Sequence, residues 1–337
     1  MLVLAFESSC DETSVAICWF EGEKKTVLSN KTATQIAIHA LYGGVVPEIA
    51  GRAHIEAISG LTYAAFEEAG VDVGAIDLVA VTSEPGLIGA LLVAVNYAKA
   101  FAFSHNIPLV GVNHIRGHIA ATYYEYSDLK APFFAMVASG GHTSLINVTS
   151  PTEFTTVGRT RDDAIGEAFD KVARVLGMPY PGGAEMDRLA AVGNPDAVRF
   201  PQAAMQDSLD FSFSGLKTAV INYVNTKKQK GEEICIPDLA ASFTAAVIRA
   251  VITNMEKAYQ RYRFDTLVVA GGVAANSHLR AALAAFSEKH GVRLCMPPRA
   301  MCGDNAAMIA AQGYYEYQNG KRDGTSLNAK PTVRSAN

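Results

Sequence analysis

Short apolar runs recur along this chain, each closed by glycine, proline or a cluster of hydroxyls and acids, with longer runs of helical spacing between them. Leu2–Phe6, Ser14–Phe20, Leu78–Thr82, Pro108–Val112, Phe133–Ala138, Ser144–Val148, Thr266–Ala270 and Val292–Met296 have the length and β-branched content of buried strands. Ile49–Ala69, Leu87–Phe103, Asp238–Tyr262, Ser277–Glu288 and Cys302–Tyr317 are long enough, and apolar on one side, to be helices. Asn113 sits where it would cap a further helix running on toward Tyr126. The tail from Asn319 onward carries no pattern and is expected to fray.

Two of these strand pairs repeat a plan. Leu2–Phe6 and Ser14–Phe20 flank a polar loop, and so do Phe133–Ala138 and Ser144–Val148. A strand–polar loop–strand unit that opens both halves predicts a duplicated α/β fold with a nucleotide between the halves. The expected lobes are residues 1–130, with a histidine pair, and 131–337, with the glycine turns. A chain of 337 residues suits two lobes of about 150–180 residues.

Composition narrows the picture. A hydrophobic share of 49% with 18% charged residues describes a soluble protein with well-buried elements. The net charge of -4 argues against a broad, non-specific nucleic-acid surface, while local basic groups (Lys227, Lys228 and Lys230; Arg159 and Arg161) remain. Five cysteines, with no CxxC pair, suit a reducing compartment and give no zinc ribbon. No secretory signal is visible, and Asn96 and Lys99 interrupt the longest apolar stretch, Leu87–Phe103. Both features point to a cytoplasmic protein.

The candidate chemistry sits at the ends of the strands. In Asn113-His114-Ile115-Arg116-Gly117-His118 the two histidines are four apart, so on a helix both imidazoles project from one face and reach one divalent metal. The pair is equally compatible with ordinary surface histidines. A third ligand must come from elsewhere, and Asp304 in Met301-Cys302-Gly303-Asp304-Asn305 is the best candidate. The loop Glu7-Ser8-Ser9-Cys10-Asp11-Glu12-Thr13 has too many acids and hydroxyls for a plain hairpin tip, which favours Asn-Gly or Asp-Gly.

Ser139-Gly140-Gly141-His142 and Gly271-Gly272-Val273-Ala274-Ala275-Asn276 are glycine turns able to lie close to a phosphate or ribose. Tyr42-Gly43-Gly44-Val45-Val46-Pro47 is a glycine turn leading into a helix. Glu84-Pro85-Gly86-Leu87 is either an anion-binding turn or a plain strand-to-helix connection. The acids Asp163, Glu167 and Asp170, with Lys171, lie near helical spacing, usually the mark of a solvated face.

The ordered set ESSCDET (7–13), YGGVVPEIA (42–50), NHIRGH (113–118), SGGHT (139–143), GEAFDK (166–171), YPGG (180–183), DFSFSGLKT (210–218), AGGVAAN (270–276) and CGDNAAMIA (302–310) closely resembles the TsaD family. The resemblance implies a two-lobed actin/Hsp70/sugar-kinase type of fold. It also implies transfer of a threonylcarbamoyl group from threonylcarbamoyl-AMP to N6 of the adenosine 3′ of the anticodon in tRNAs reading ANN codons. Carried over by motif, His114, His118 and Asp304 would hold iron or zinc. Val137, Ala138, Ser139, Gly140, Gly141, Asp170, Gly183, Asp187 and Asn276 would hold the adenine nucleotide (the adenylate or ATP). Asp11 and Glu12 would lie near the reacting group, with Asp11 or His142 as a base. The implied partners are tRNA, TsaB-like and TsaE-like helpers and a TsaC-like enzyme that makes the adenylate, with no membrane. Glu84 departs from the family pattern, which has a small residue before Pro85-Gly86.

Two rival classes stand beside this reading. A metallopeptidase of HExxH type would need a glutamate after its first histidine as base, and here that position is Ile115, followed by Arg116. An ATP-dependent scaffold would close around nucleotide without acyl transfer.

Overall fold

The computed structural model describes residues 1–201, 205 and 208–331. The chain separates into two compact units. The first comprises Met1–Ala131, Thr149–Phe154 and Ala300–Asn337, and the second Pro132–Val148 and Thr155–Arg299. The second unit begins at Pro132, and the chain's last segment, Ala300–Asn337, groups with the first unit. The cause is the last helix, apolar on more than one side, which finds its cover on the first sheet.

The first unit opens with β1 (Leu2–Glu7), β2 (Glu12–Glu21) and β3 (Lys24–Thr34). There follow α1 (Ile36–Ala40), α2 (Pro47–Ala69), β4 (Leu78–Glu84), α3 (Ile88–His105), β5 (Leu109–Asn113) and α4 (His114–Ala120). Its sheet runs β3-β2-β1-β4-β5, with β1 antiparallel to β2 and parallel to β4, and β4 parallel to β5. Strand alternation sorts the side chains. Leu4, Phe6, Val79 and Val81 join Ile58 and Ala65 of α2 and Leu91, Ala94 and Val95 of α3 in one core. The opposite face, with Ala80 and Val112, is covered by the last helix, whose Gly313 lies against both residues.

Apart from Thr149–Phe154 at the β7–β8 turn, the second unit holds β6 (Phe133–Ala138), β7 (Thr143–Ser150), β8 (Glu153–Arg159), α5 (Ile165–Val175), α6 (Gly183–Ala190) and α7 (Ser214–Gln229). It continues with α8 (Ile236–Tyr262), β9 (Thr266–Ala270), α9 (Ser277–His290) and β10 (Arg293–Cys295). Its sheet order, β8-β7-β6-β9-β10, repeats that of the first unit strand for strand. Here too the first strand is antiparallel to the second and parallel to the fourth. The duplication read from the two hairpins is therefore present in the topology. Leu239, Phe243, Val247, Ala250 and Ala258 form the buried stripe of α8 at helical spacing. By length and composition α3 and α8 could each span a bilayer, with mean hydropathy of 1.2 and 1.4. Both bury a side within their own unit.

The last helix, α10 (Ala306–Gln318), starts four residues later than its apolar pattern suggests, because Asn305 caps it and Asp304 precedes it. Beyond it, the described residues of the tail are tied to β5. The Asp323 N–H donates to Leu109 O at 2.8 Å, Asp323 Oδ2 accepts from Gly111 N, and Lys321 Nζ donates to Gly111 O. Leu327 packs where a side chain on Gly111 would stand. This segment satisfies the free edge of β5, which an unpatterned sequence cannot announce. Glu84 pairs with Lys330 at 3.2 Å, giving the carboxylate a partner at that turn.

Candidate metal centre

Three parallel strands of the first unit, β1, β4 and β5, point their carboxyl ends at one place, the usual location of sites in open α/β sheets. Asn113 ends β5 and caps α4, its Oδ1 accepting from Ile115 N at 3.0 Å and Arg116 N at 3.3 Å. That cap starts the helix at His114, so His114 and His118 stand one turn apart, edge to face, with ring centroids 4.6 Å apart. Gly117 lets α4 approach α10 closely, since a Cβ there would lie 2.7 Å from Ile309 Cδ1. On α10 the Asn305 side chain accepts from Met308 N, and Ala306 N donates to Ser14 Oγ on β2. Asp304 is fixed between these anchors and the histidines.

The result is a compact N,N,O set. Asp304 Oδ1 lies 3.5 Å from His114 Nε2 and 3.2 Å from His118 Nε2, and the three candidate ligand atoms fall within 4.8 Å of one another. First-row divalent ions hold imidazole nitrogen and carboxylate oxygen at about 2.0–2.2 Å, which separates neighbouring ligands by about 3.0–3.5 Å. Both carboxylate–imidazole distances fall in that range. The burial fits as well: both ring nitrogens of His118 are enclosed, with Nε2 turned to the Asp304 carboxylate. Two imidazoles and a carboxylate suit zinc or iron equally.

A group not singled out from the sequence completes the centre. Glu7 Oε2 faces His114 Nδ1 at 3.0 Å and accepts from Thr82 Oγ1 at 2.6 Å, while Oε1 accepts from Ser9 N. Ser9 Oγ also lies 3.2 Å from His114 Nδ1. A carboxylate behind a histidine turns the other ring nitrogen outward and raises its basicity as a ligand. The available signal was an acid closing an otherwise apolar strand.

Electrostatics follow from this crowding. Burial opposes charge on His114, but Asp304 and Glu7 outweigh it and lift His114 to about 9. Burial, then the neighbouring His114, pushes His118 below its usual value. Burial raises Glu12 to about 9, helped by Asp304 and Asp11. Burial and Asp11 likewise push the Cys10 thiol upward. Glu7, Asp11, Glu12 and Asp304 thus form a strongly acidic pocket, the environment a dication requires.

The remaining candidates lie in the second unit, and most gather around the ends of β6 and β9. Ser139 N donates to His142 O, and the His142 N–H donates to Ser139 Oγ. Gly271 takes φ +93°, with its would-be Cβ 2.4 Å from Ala138 O, so only glycine fits there. A Cβ on Gly166, at the start of α5, would lie 2.7 Å from Ser139 O. Asn276 caps α9 through Leu279 N at 2.8 Å. Asp187 accepts from Ser277 N, Ser277 Oγ and His278 Nδ1. Asp170 Oδ1 accepts from Gly182 N, next to Gly183. Asp11 and Glu12 belong to the first unit and His142 to the second.

Two α/β units of one strand plan, one of them carrying a buried His-His-Asp cluster at its strand ends, define the fold class as the duplicated, two-lobed actin/Hsp70/sugar-kinase type. Solved structures share the fold at low identity. The HypF protein of T. kodakarensis superposes with a TM-score of 0.62 at 13% identity, covering 94% of this chain and 48% of that one. Component A of the (R)-2-hydroxyglutaryl-CoA dehydratase of Acidaminococcus fermentans gives 0.54 at 15%, covering 95% and 98%. The family model "TsaD: tRNA N6-adenosine threonylcarbamoyltransferase" matches residues 26–311. A tRNA N6-adenosine threonylcarbamoyltransferase of Clostridium botulinum (strain 657 / Type Ba4) is 50% identical over 98% of this chain and 97% of its own. One of Clostridioides difficile (strain 630) is 48% identical over 99% and 98%. The chain belongs to the tRNA N6-adenosine threonylcarbamoyltransferase family.

Proposed function

We propose that this chain moves the threonylcarbamoyl group of threonylcarbamoyl-AMP onto N6 of the adenosine 3′ of the anticodon in tRNAs reading ANN codons. The observation that carries the reading is the His114–His118–Asp304 cluster backed by Glu7, in a chain of this family. His114, His118 and Asp304 would hold one divalent iron or zinc ion, which when bound supplies a Lewis acid for the acyl group. Glu7 keeps His114 Nδ1 occupied, so that Nε2 faces the site. The backbone of Ser139–Gly141 and Gly271, with Asp170, Gly183, Asp187 and Asn276, would hold the adenylate in the second unit. A carboxylate oxygen of Asp11, or His142, would take the proton leaving N6. The mixed anhydride provides a good leaving group in AMP, so positioning supplies most of the catalysis. In this reading the enzyme is cytoplasmic and works with TsaB-like, TsaE-like and TsaC-like proteins.

The peptidase alternative lacks support at the helix itself. Ile115 follows the first histidine, and the Arg116 guanidinium is engaged with Glu316 at 3.0 Å, so no base stands at the required spacing.

The test is mass spectrometry of nucleosides from tRNA incubated with the chain, its helpers, ATP, threonine and bicarbonate. His114→Ala is expected to lower single-turnover modification by at least about 10²–10³-fold and to leave nucleotide affinity by calorimetry near the parent value. Metal-dependent cleavage of a glycoprotein by the parent, lost in His114→Ala, with no modified adenosine under any partner combination, would overturn the reading.

A further inference from the structure

Asp11 and Glu12 lie on a loop whose two sides are gripped by a single imidazole. His54, fully buried on α2, places Nε2 3.0 Å from Cys10 O and Nδ1 2.7 Å from Thr13 Oγ1. Behind it, Gln35 Nε2 lies 3.4 Å from both His54 Nδ1 and Ala50 O, and the Gln35 N–H donates to Asp11 O at 3.0 Å. Gln35 Oε1 faces Nε2 of the buried His39 at 3.0 Å, and His39 Nδ1 accepts from Val46 N at 3.3 Å. Val46 belongs to the turn Tyr42–Pro47, which the proposed activity leaves without a role. There Gly43 and Gly44 take φ of +70° and +153°, and Leu41 and Tyr42 are exposed.

Backbone groups of fixed polarity set the direction of this chain of contacts. A peptide N–H can only donate and a carbonyl only accept. Val46 N–H makes His39 Nδ1 an acceptor, which puts the His39 proton on Nε2 and points it at Gln35 Oε1. The Ala50 carbonyl independently demands the Gln35 NH2 on its side, so that amide donates to His54 Nδ1. His54 must then carry its proton on Nε2, where the Cys10 carbonyl accepts it. Starting from either end gives the same assignment, with both rings neutral. Burial, which holds His54 below its usual pKa, agrees.

We propose that His54 is a positioning residue for the Glu7–Thr13 loop, held as the neutral Nε2–H tautomer by a one-directional relay through Gln35 and His39 from the Tyr42–Pro47 turn. Its importance for turnover rests on the reading of Asp11 and Glu12 as groups beside the reacting centre. A core histidine that merely fills space would need neither a fixed tautomer nor the polarity of Gln35. Gln35→Glu changes no volume but sets a carboxylate against His54 Nδ1 and the Ala50 carbonyl. Thr13→Val is also isosteric and removes one of the two anchors.

Side-chain nitrogen NMR of the 15N-labelled full chain, with His54→Gln and His39→Gln for assignment, reads the tautomers without reference to activity. Both rings are expected as neutral Nε2–H at neutral pH, with His54 becoming imidazolium in Gln35→Glu. Single-turnover tRNA modification should fall by about 10²-fold in Gln35→Glu, the scale of a reacting group misplaced by about 1 Å. Thr13→Val should show a smaller fall, and both variants should keep parental metal content and nucleotide affinity. An Nδ1–H tautomer or an imidazolium in the parent would overturn the relay. Parental rates in both variants, or rate losses that only track lost metal or unfolding, would overturn the positioning role. A parent that modifies no adenosine would count against the proposed function alone, because the tautomers still decide the relay.

Discussion

Glu7 shows how much of a metal site lies behind its ligands. The His114–His118 pair is visible as a spacing of four, whereas Glu7 stands 107 residues from the ring it orients. Glu7→Gln keeps the size of the side chain but removes the charge behind Nδ1. The expected result is metal affinity lower by about 10–100-fold, measured by competition with a chromophoric chelator, with the fold retained. His118→Ala should instead strip the metal almost completely. A second buried carboxylate predicts acid behaviour. Burial raises Asp210, but the Arg159 N–H at 2.8 Å and the Arg161 guanidinium at 2.6 Å outweigh it and hold the carboxyl below its ordinary value. A depressed folded pKa stabilises above the unfolded value of about 3.9 and loses that stabilisation as pH falls through the folded value. The gap in urea midpoint between the parent and Asp210→Asn should therefore be full near neutrality and close on acidification. A gap that persisted to about pH 2 would contradict the assignment.

Among elements, α10 decides the first unit. Gly313 lies so close to β4 that a methyl there would meet Ala80 Cβ at 2.5 Å. Gly313→Ala gains about 1 kcal/mol of helix propensity, but the overpacking costs about 1–3 kcal/mol because Ala80 sits on a fixed, fully buried strand. The clash should win, and the melting temperature should fall; a rise would show that the helix can slide. The elements that escaped the apolar pattern have a common reason. β3 (KKTVLSNKTAT) and β8 (EFTTVGR) are the outer strands beside β2 and β7, and their lysines, threonines and exposed alternate positions suit an edge rather than a core. Edge strands carry less apolar signal because only part of each is buried. The Lys321–Leu327 segment has even less, since one backbone hydrogen bond, the side chains of Lys321 and Asp323, and one leucine hold it to β5.

For the whole molecule, the return of Ala300–Asn337 to the first unit has a direct consequence. A chain ending at Arg299 lacks both Asp304 and the helix that covers Ala80 and Val112. It is expected to bind no metal, to expose apolar surface to a dye such as ANS, and to aggregate on heating; a soluble truncated protein with parental metal content would contradict this. Sequence alone determined what depends on neighbours along the chain: buried strands, long helices, the Asn113 cap, the histidine pair, and the repeat of a hairpin that became two sheets of one strand order. These follow from local periodicity and from hydrogen bonds within a few residues. Only the tertiary structure decided that Glu7 backs His114, that His54 reads both sides of the Asp11–Glu12 loop, and that the final helix closes the first sheet. Those contacts join residues 41 to 107 positions apart, or the two ends of the chain, and depend on which buried surfaces fit one another.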